Sequence, residues 1–163
     1  VRANPVRVVV SACLLGAPVR YNATAKTVHH PVLQRWIDEA RVVTVCPEVL
    51  GGLGTPRPPA EIVHVRGTRR VHADTGRDVT AEFESGAEQA LAQAVKAGAR
   101  VAILKDGSPS CGSSYVYDGT FTSTRVDGEG VTAALMRRHG IRVFSEHQLD
   151  AAAAYVEALE RER

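Results

Sequence analysis

Of 163 residues only three are lysine, one is tryptophan and one is methionine, and aromatic side chains make up 5% of the chain. No apolar run approaches the ~18–20 residues that a membrane-spanning helix needs, and the first residues carry neither the charged nor the apolar region of a signal peptide. A cytoplasmic protein with no membrane partner is therefore expected. No block of one charge sign is present either. Twenty basic residues stand against 18 acidic ones, for a net charge of +2, so there is no phosphate-binding arm and a large nucleic acid is not favoured as a partner. No CxxC pair occurs, and the cysteines number three, which argues against a secreted disulfide framework. No repeat, linker or low-complexity segment interrupts the chain. What remains, 44% hydrophobic and 23% charged, is the composition of an ordinary globular protein, and the length suits a single domain over residues 1–163.

Hydrophobic periodicity then orders the chain. "VRVVVSAC" (6–13) is β-branched and almost continuously apolar, as a strand buried on both faces would be. Pro31 opens a helix carrying Leu33, Trp36, Ile37 and Ala40, and "VVTVC" (42–46) is a second strand that stops at Pro47. "GGLGTPRPP" (51–59) is a loop. Alternation from Glu61 to Thr80 predicts a polar β-hairpin with turns near Gly67 and Gly76. A helix over 80–97, with Phe83, Ala87, Ala90, Leu91 and Ala94 on one face, closes at Gly98. "RVAILK" (100–105) and "IRVFS" (141–145) are two further strands. "GVTAALMRRHG" lies between them as a helix closed by Gly140. Ser145 and Gln148 match a capping box ahead of a last helix. Strands alternating with helices of this length require crossover connections. The expected fold is α/β: a mainly parallel, Rossmann-like sheet flanked by helices, with the hairpin insertion around 61–80.

Two cysteines, Cys13 and Cys46, end the first two strands, and Cys111 lies six residues past Lys105. Ligands bind outside the carboxyl ends of the strands in open parallel sheets, so all three thiols can meet there. Each taken singly is also explained by inert packing, because free cysteine is among the most buried residue types. Three thiolates would fill three positions of an iron–sulfur cluster or a tetrahedral metal and leave one open for chemistry.

The sequence around the cysteines is more distinctive. "SACLLGAPVRY", "CPEVLGGLGTPRPPAEI", "LKDGSPSCG", "YDGTF" and "GVTAALMRRHGIRVFSE" occur in that order. Together they closely resemble the 2-thiouracil desulfidase family, over roughly Val8 to Glu146. One local departure follows Tyr21, where "NATAK" stands in place of the glycine that relatives tend to carry. The resemblance implies a [4Fe–4S] cluster held by Cys13, Cys46 and Cys111, its fourth iron free to take sulfur from a thiolated nucleobase. It also implies a catalytic carboxylate at Glu48 and an active-site serine at Ser108. The expected reaction is hydrolytic loss of sulfide from a small 2-thiouracil-like base. Glu48 would activate water, and Arg20, Tyr21, Lys105 and Ser110 would contact substrate.

Other residues carry two readings each. Lys105 either projects toward the site or snorkels at a strand end. Arg57 binds an anion or braces a turn, and Glu61 faces the site or starts the hairpin. Asp118 and Gly119 are turn residues, and His29 and His30 are surface or capping residues. Two rival functions are a non-catalytic metal or redox sensor built on the same thiolates, and a cluster enzyme acting on thiolated nucleosides of tRNA.

Overall fold

In a computed structural model that describes residues 5–162, the β-branched run becomes β1 (Val8–Ser11), every residue of it buried. A short 3-10 turn (Ala12–Leu15) follows, then α1 (Pro31–Asp38), β2 (Val42–Val45) and α2 (Pro47–Leu50). A hairpin of β3 (Ala60–Val65) and β4 (Thr68–Ala73) leads to the long helix α3 (Thr80–Lys96). After β5 (Val101–Leu104) comes a small hairpin, β6 (Tyr115–Tyr117) with β7 (Arg125–Asp127). Then follow α4 (Val131–Arg138), β8 (Arg142–Ser145) and α5 (Leu149–Arg161). Among the described residues no helix is long and apolar enough to cross a membrane.

Four strands form one parallel sheet in the order β2-β1-β5-β8, with Val9 opposite both Val43 and Ala102. Because successive side chains in a strand point to opposite faces, Val8, Val10, Val101 and Ile103 pack with Leu33, Trp36, Leu149 and Val156 of α1 and α5. Val9, Ala102 and Leu104 pack on the other face with Ala90, Ala94, Ala133 and Met136 of α3 and α4. A third cluster, built on Ile62, Val71, Val79, Phe83 and Val116, joins the two hairpins to α3. The expected α/β architecture and the hairpin around 61–80 are both present.

Local chemistry fixes the ends. The ring Nδ1 of His30 accepts a hydrogen bond from the Val32 amide at 3.1 Å, capping α1. Gly98 and Gly140 take the left-handed φ values of 69° and 83° that close α3 and α4. At α5 the expected capping box forms only in part. Gln148 Oε1 accepts from the Ser145 amide at 2.9 Å, but Ser145 Oγ accepts from His147 rather than from the Gln148 amide. Ser145 stays the last residue of β8 and the helix begins at Leu149.

Candidate active site

The chain leaves β1 toward β2 on one side and returns to β5 on the other, so the carboxyl ends of β1 and β5 flank the reversal point where open parallel sheets bind ligands. The Lys105 amide donates to Ser11 Oγ across that gap at 3.0 Å. A cavity of 450 Å³ opens there, lined by Cys13, Cys46 and Cys111 together. None of the three is the last residue of a strand. Cys13 lies in the 3-10 turn after β1, Cys46 is the residue before α2, and Cys111 sits in the loop after β5. Each strand is shorter than its apolar run because the chain bends into a turn or helix at the cavity edge.

The loop around Cys111 is built from its own polar groups. Ser108 Oγ accepts the amides of Ser110 and Cys111, both at 3.0 Å, and the Ser108 carbonyl accepts from Gly112 at 2.9 Å. Asp106, only 3% exposed, gathers the rest. Its Oδ1 accepts the amides of Gly107, Ser113 and Ser114 at 3.1 Å and of Tyr115 at 3.3 Å, while Oδ2 accepts the Ser114 hydroxyl. Asp106 was not singled out in the sequence. The available signal was a Ser/Gly-rich loop following a buried strand, whose amides need an acceptor.

Burial first, and then its Cys46 neighbour, pushes the Cys13 thiol up to about 11. Cys111 is pushed up to about 12, again chiefly by burial, with a Ser11 hydrogen bond acting the other way. Burial likewise raises Cys46. Glu48, in the first turn of α2, faces the same cavity and is raised by burial against the opposing pull of Arg57, whose Nε lies 3.4 Å from Glu48 Oε1. Arg57 braces as well as pairs. Its guanidinium donates to the carbonyls of Gly54 and Val19 at 3.0 and 2.9 Å, and its amide donates to Tyr21 O at 2.7 Å. Lys105 lines the cavity with its ammonium held by Glu146 at 3.1 Å and by the Asp106 carbonyl at 2.6 Å.

Arg20, Tyr21, Ser108 and Glu61 also line the cavity. Ser110 does not. It is wholly buried and its hydroxyl pairs with Thr132 at 2.7 Å, so the expectation of a substrate contact there is corrected: the hydroxyl is engaged by α4 and not by the cavity. The loop after Tyr21 is closed by the Ala23 amide on Arg20 O at 2.8 Å, with Ala23 at φ 60°. That is the left-handed region which favours glycine, and it falls within the "NATAK" segment. Three aromatic residues missed in the sequence, Tyr115, Tyr117 and Phe121, complete the wall.

A sequence model of the 2-thiouracil desulfurase family matches residues 8–148. The chain belongs to this family. Two other proteins are similar to the chain along most of their length. The uncharacterized protein YbbK of Bacillus subtilis (strain 168) is 42% identical over 149 residues, 88% of this chain and 97% of YbbK. The solved structure of TudS, a [4Fe-4S]-dependent thiouracil desulfidase, is similar with a TM-score of 0.89 and 50% sequence identity, covering 94% of this chain and 99% of TudS. In this 2-thiouracil desulfurase family member one cavity is lined by the three cysteines, Glu48 and Ser108.

Proposed function

We propose that the chain converts a thiolated nucleobase such as 2-thiouracil to its oxo form with release of hydrogen sulfide, using a [4Fe–4S] cluster held by Cys13, Cys46 and Cys111. The observation that carries this reading is that the three thiols, Glu48 and Ser108 line one cavity. The donor set suits such a cofactor. Cys13 and Cys111 are buried and Cys46 is partly so; burial raises all three, and Cys46 raises Cys13 and Cys111 further, so they become thiolates readily only against a strongly cationic group, and Lys105 adds positive charge beside Cys13. When bound, the cluster supplies a soft iron centre that accepts the sulfur of the thiocarbonyl.

The chain's own residues supply the rest. Glu48 uses Oε1 for Arg57, and its carboxylate takes a proton from the attacking water as oxygen bonds to the thiocarbonyl carbon. The same carboxyl returns that proton to sulfur as the carbon–sulfur bond breaks, and the second water proton, left on the new oxygen, passes to sulfur by the same carboxyl, so one water and one thiocarbonyl give one carbonyl and one hydrogen sulfide. Ser108 accepts two amides through Oγ, which leaves its hydroxyl hydrogen free to donate to an acceptor on the base. Arg20 and Tyr21 line the same cavity and would contact the base. A cavity of 450 Å³ falls in the range of small-molecule sites and suits a free base better than a folded RNA.

The test is anaerobic reconstitution with iron and sulfide, followed by incubation with 2-thiouracil. Equal amounts of uracil and sulfide are expected. A fully loaded protein that releases neither would overturn the proposal.

A further inference from the structure

The rim of the cavity carries a ring that the mechanism above does not use. Phe121 lines the cavity while 37% of its surface stays exposed, and its backbone adopts φ 57°. That left-handed conformation is an outlier for a bulky residue. Ser123 is left-handed as well, at φ 60°. Such strain persists only where the surroundings over-determine it, and here the whole 118–124 loop does so. Glu61 Oε1, on β3, accepts the amides of Gly119 and Phe121 at 2.9 and 3.2 Å. Asp118 Oδ1 accepts the Thr120 amide and hydroxyl, and the hydroxyls of Thr120, Thr122 and Thr124 continue as a ladder at 2.5 and 2.8 Å. Gly119 lies so close to β3 that a Cβ there would be 2.7 Å from the Ile62 carbonyl oxygen.

This is much local structure devoted to holding one phenyl ring partly in water, where it forgoes the free energy that burial would supply. The other rings of the hairpin are already engaged. Tyr115 and Tyr117 pack edge to face with centroids 6.0 Å apart, and the Arg125 guanidinium lies 4.2 Å from the Tyr115 centroid. Among the described residues Phe121 has neither an aromatic nor a cationic partner. A planar heterocycle presents polar atoms at its edge and two apolar faces. Glu48, Ser108 and Lys105 provide for the edge, and they leave the faces without a surface of matching chemistry.

We infer that Phe121 is the stacking platform for the flat ring of the substrate and that Glu61 is its positioning residue. Tyr21, 40% exposed on a different loop of the same cavity, offers a second ring. The inference rests on the reading that the substrate is a thiolated nucleobase and adds how that base is recognised: by its aromatic face as well as its polar edge. A site built this way favours planar ring substrates over open-chain thiocarbonyls.

Two quantities test it on the reconstituted holoprotein: KM for 2-thiouracil turnover and, as a binding readout free of chemistry, the Kd of uracil by titration calorimetry. Phe121→Ala raises both about ten-fold, with kcat held within about two-fold, as expected for loss of one base–aromatic stack. Phe121→Tyr, which keeps the ring, holds both within about two-fold. Glu61→Ala raises the same two constants by roughly three- to ten-fold, and Glu61→Gln, whose amide oxygen still accepts the two loop amides, restores them. Wild-type turnover with KM and Kd unmoved in Phe121→Ala overturns the platform and leaves the desulfidase reading standing. Equal losses in Phe121→Tyr, or in Glu61→Gln, overturn the roles of ring and carboxylate. No turnover by the wild type overturns the reading beneath both.

Discussion

Glu48 is set between two opposing influences: burial holds its carboxyl up, and Arg57, itself only 6% exposed, pulls it down. Replacing it with glutamine preserves size and the hydrogen bond to Arg57 but removes the proton acceptor. Glu48→Gln is expected to keep the melting temperature and iron content of the wild type while lowering kcat by roughly 10²–10⁴-fold, read by sulfide release. Asp106 acts through structure instead. Burial works to raise its carboxyl, but the bonds from Ser114, Tyr115 and Ser113 together outweigh it and hold the group below the ordinary carboxylate range. A carboxyl lowered on folding contributes stability above its unfolded value of about 3.9, and that contribution is lost as pH falls through the lower folded value. Asp106→Asn is therefore expected to be less stable than the wild type at pH 7 by about 2 kcal/mol, and the gap should narrow below about pH 4. Urea titrations at pH 7, 5 and 3 measure it, and a gap independent of pH would contradict the assignment.

Among the elements, α2 is the shortest helix and sets the positions of both Cys46 and Glu48. It packs on α3 through two glycines. A Cβ on Gly86 would overlap the Pro47 carbonyl oxygen, and one on Gly51 would overlap the Glu82 carbonyl oxygen. Gly86→Ala should therefore push α2 off α3, costing about 1–3 kcal/mol and reducing iron retention. Measured iron content equal to the wild type would show that α2 does not set the site. This helix was not legible in the sequence, where Pro47 marked only the end of a strand; four residues carry no periodicity, and packing on α3 makes them helical. The strands β6 and β7 were hidden for a similar reason, being three residues each. By contrast β1, β5, α1 and α3 were plain, because their apolar spacing repeats over enough residues to declare a period. Cys13, Cys46, Cys111 and Glu48 were singled out through their flanking motifs, and all four line the one cavity. Ser110 was misjudged because adjacency to Cys111 says nothing of which way a hydroxyl turns. Phe121 was passed over because its conformation depends on Glu61, distant in sequence.

Across the molecule, one sheet shares its two faces between two apolar clusters, and a third cluster ties both hairpins to α3. We propose that the chain unfolds as one cooperative unit. Trp36, the lone tryptophan, is fully buried on the α1 and α5 face, so its fluorescence reports that face while far-ultraviolet circular dichroism reports the whole. Coincident urea transitions are expected from a two-state domain; separated midpoints would reveal independent parts. The cooperative sheet also holds the three thiols, which belong to three separate segments of chain, around one cavity. The central claim is that these thiols carry a four-iron cluster with one iron left to substrate. Mössbauer spectroscopy of anaerobically reconstituted protein tests that claim most directly. The account predicts about four irons per chain, one of them distinct from the other three and shifting when 2-thiouracil is added. A single iron per chain, or four irons whose spectrum ignores the thiobase, would contradict it.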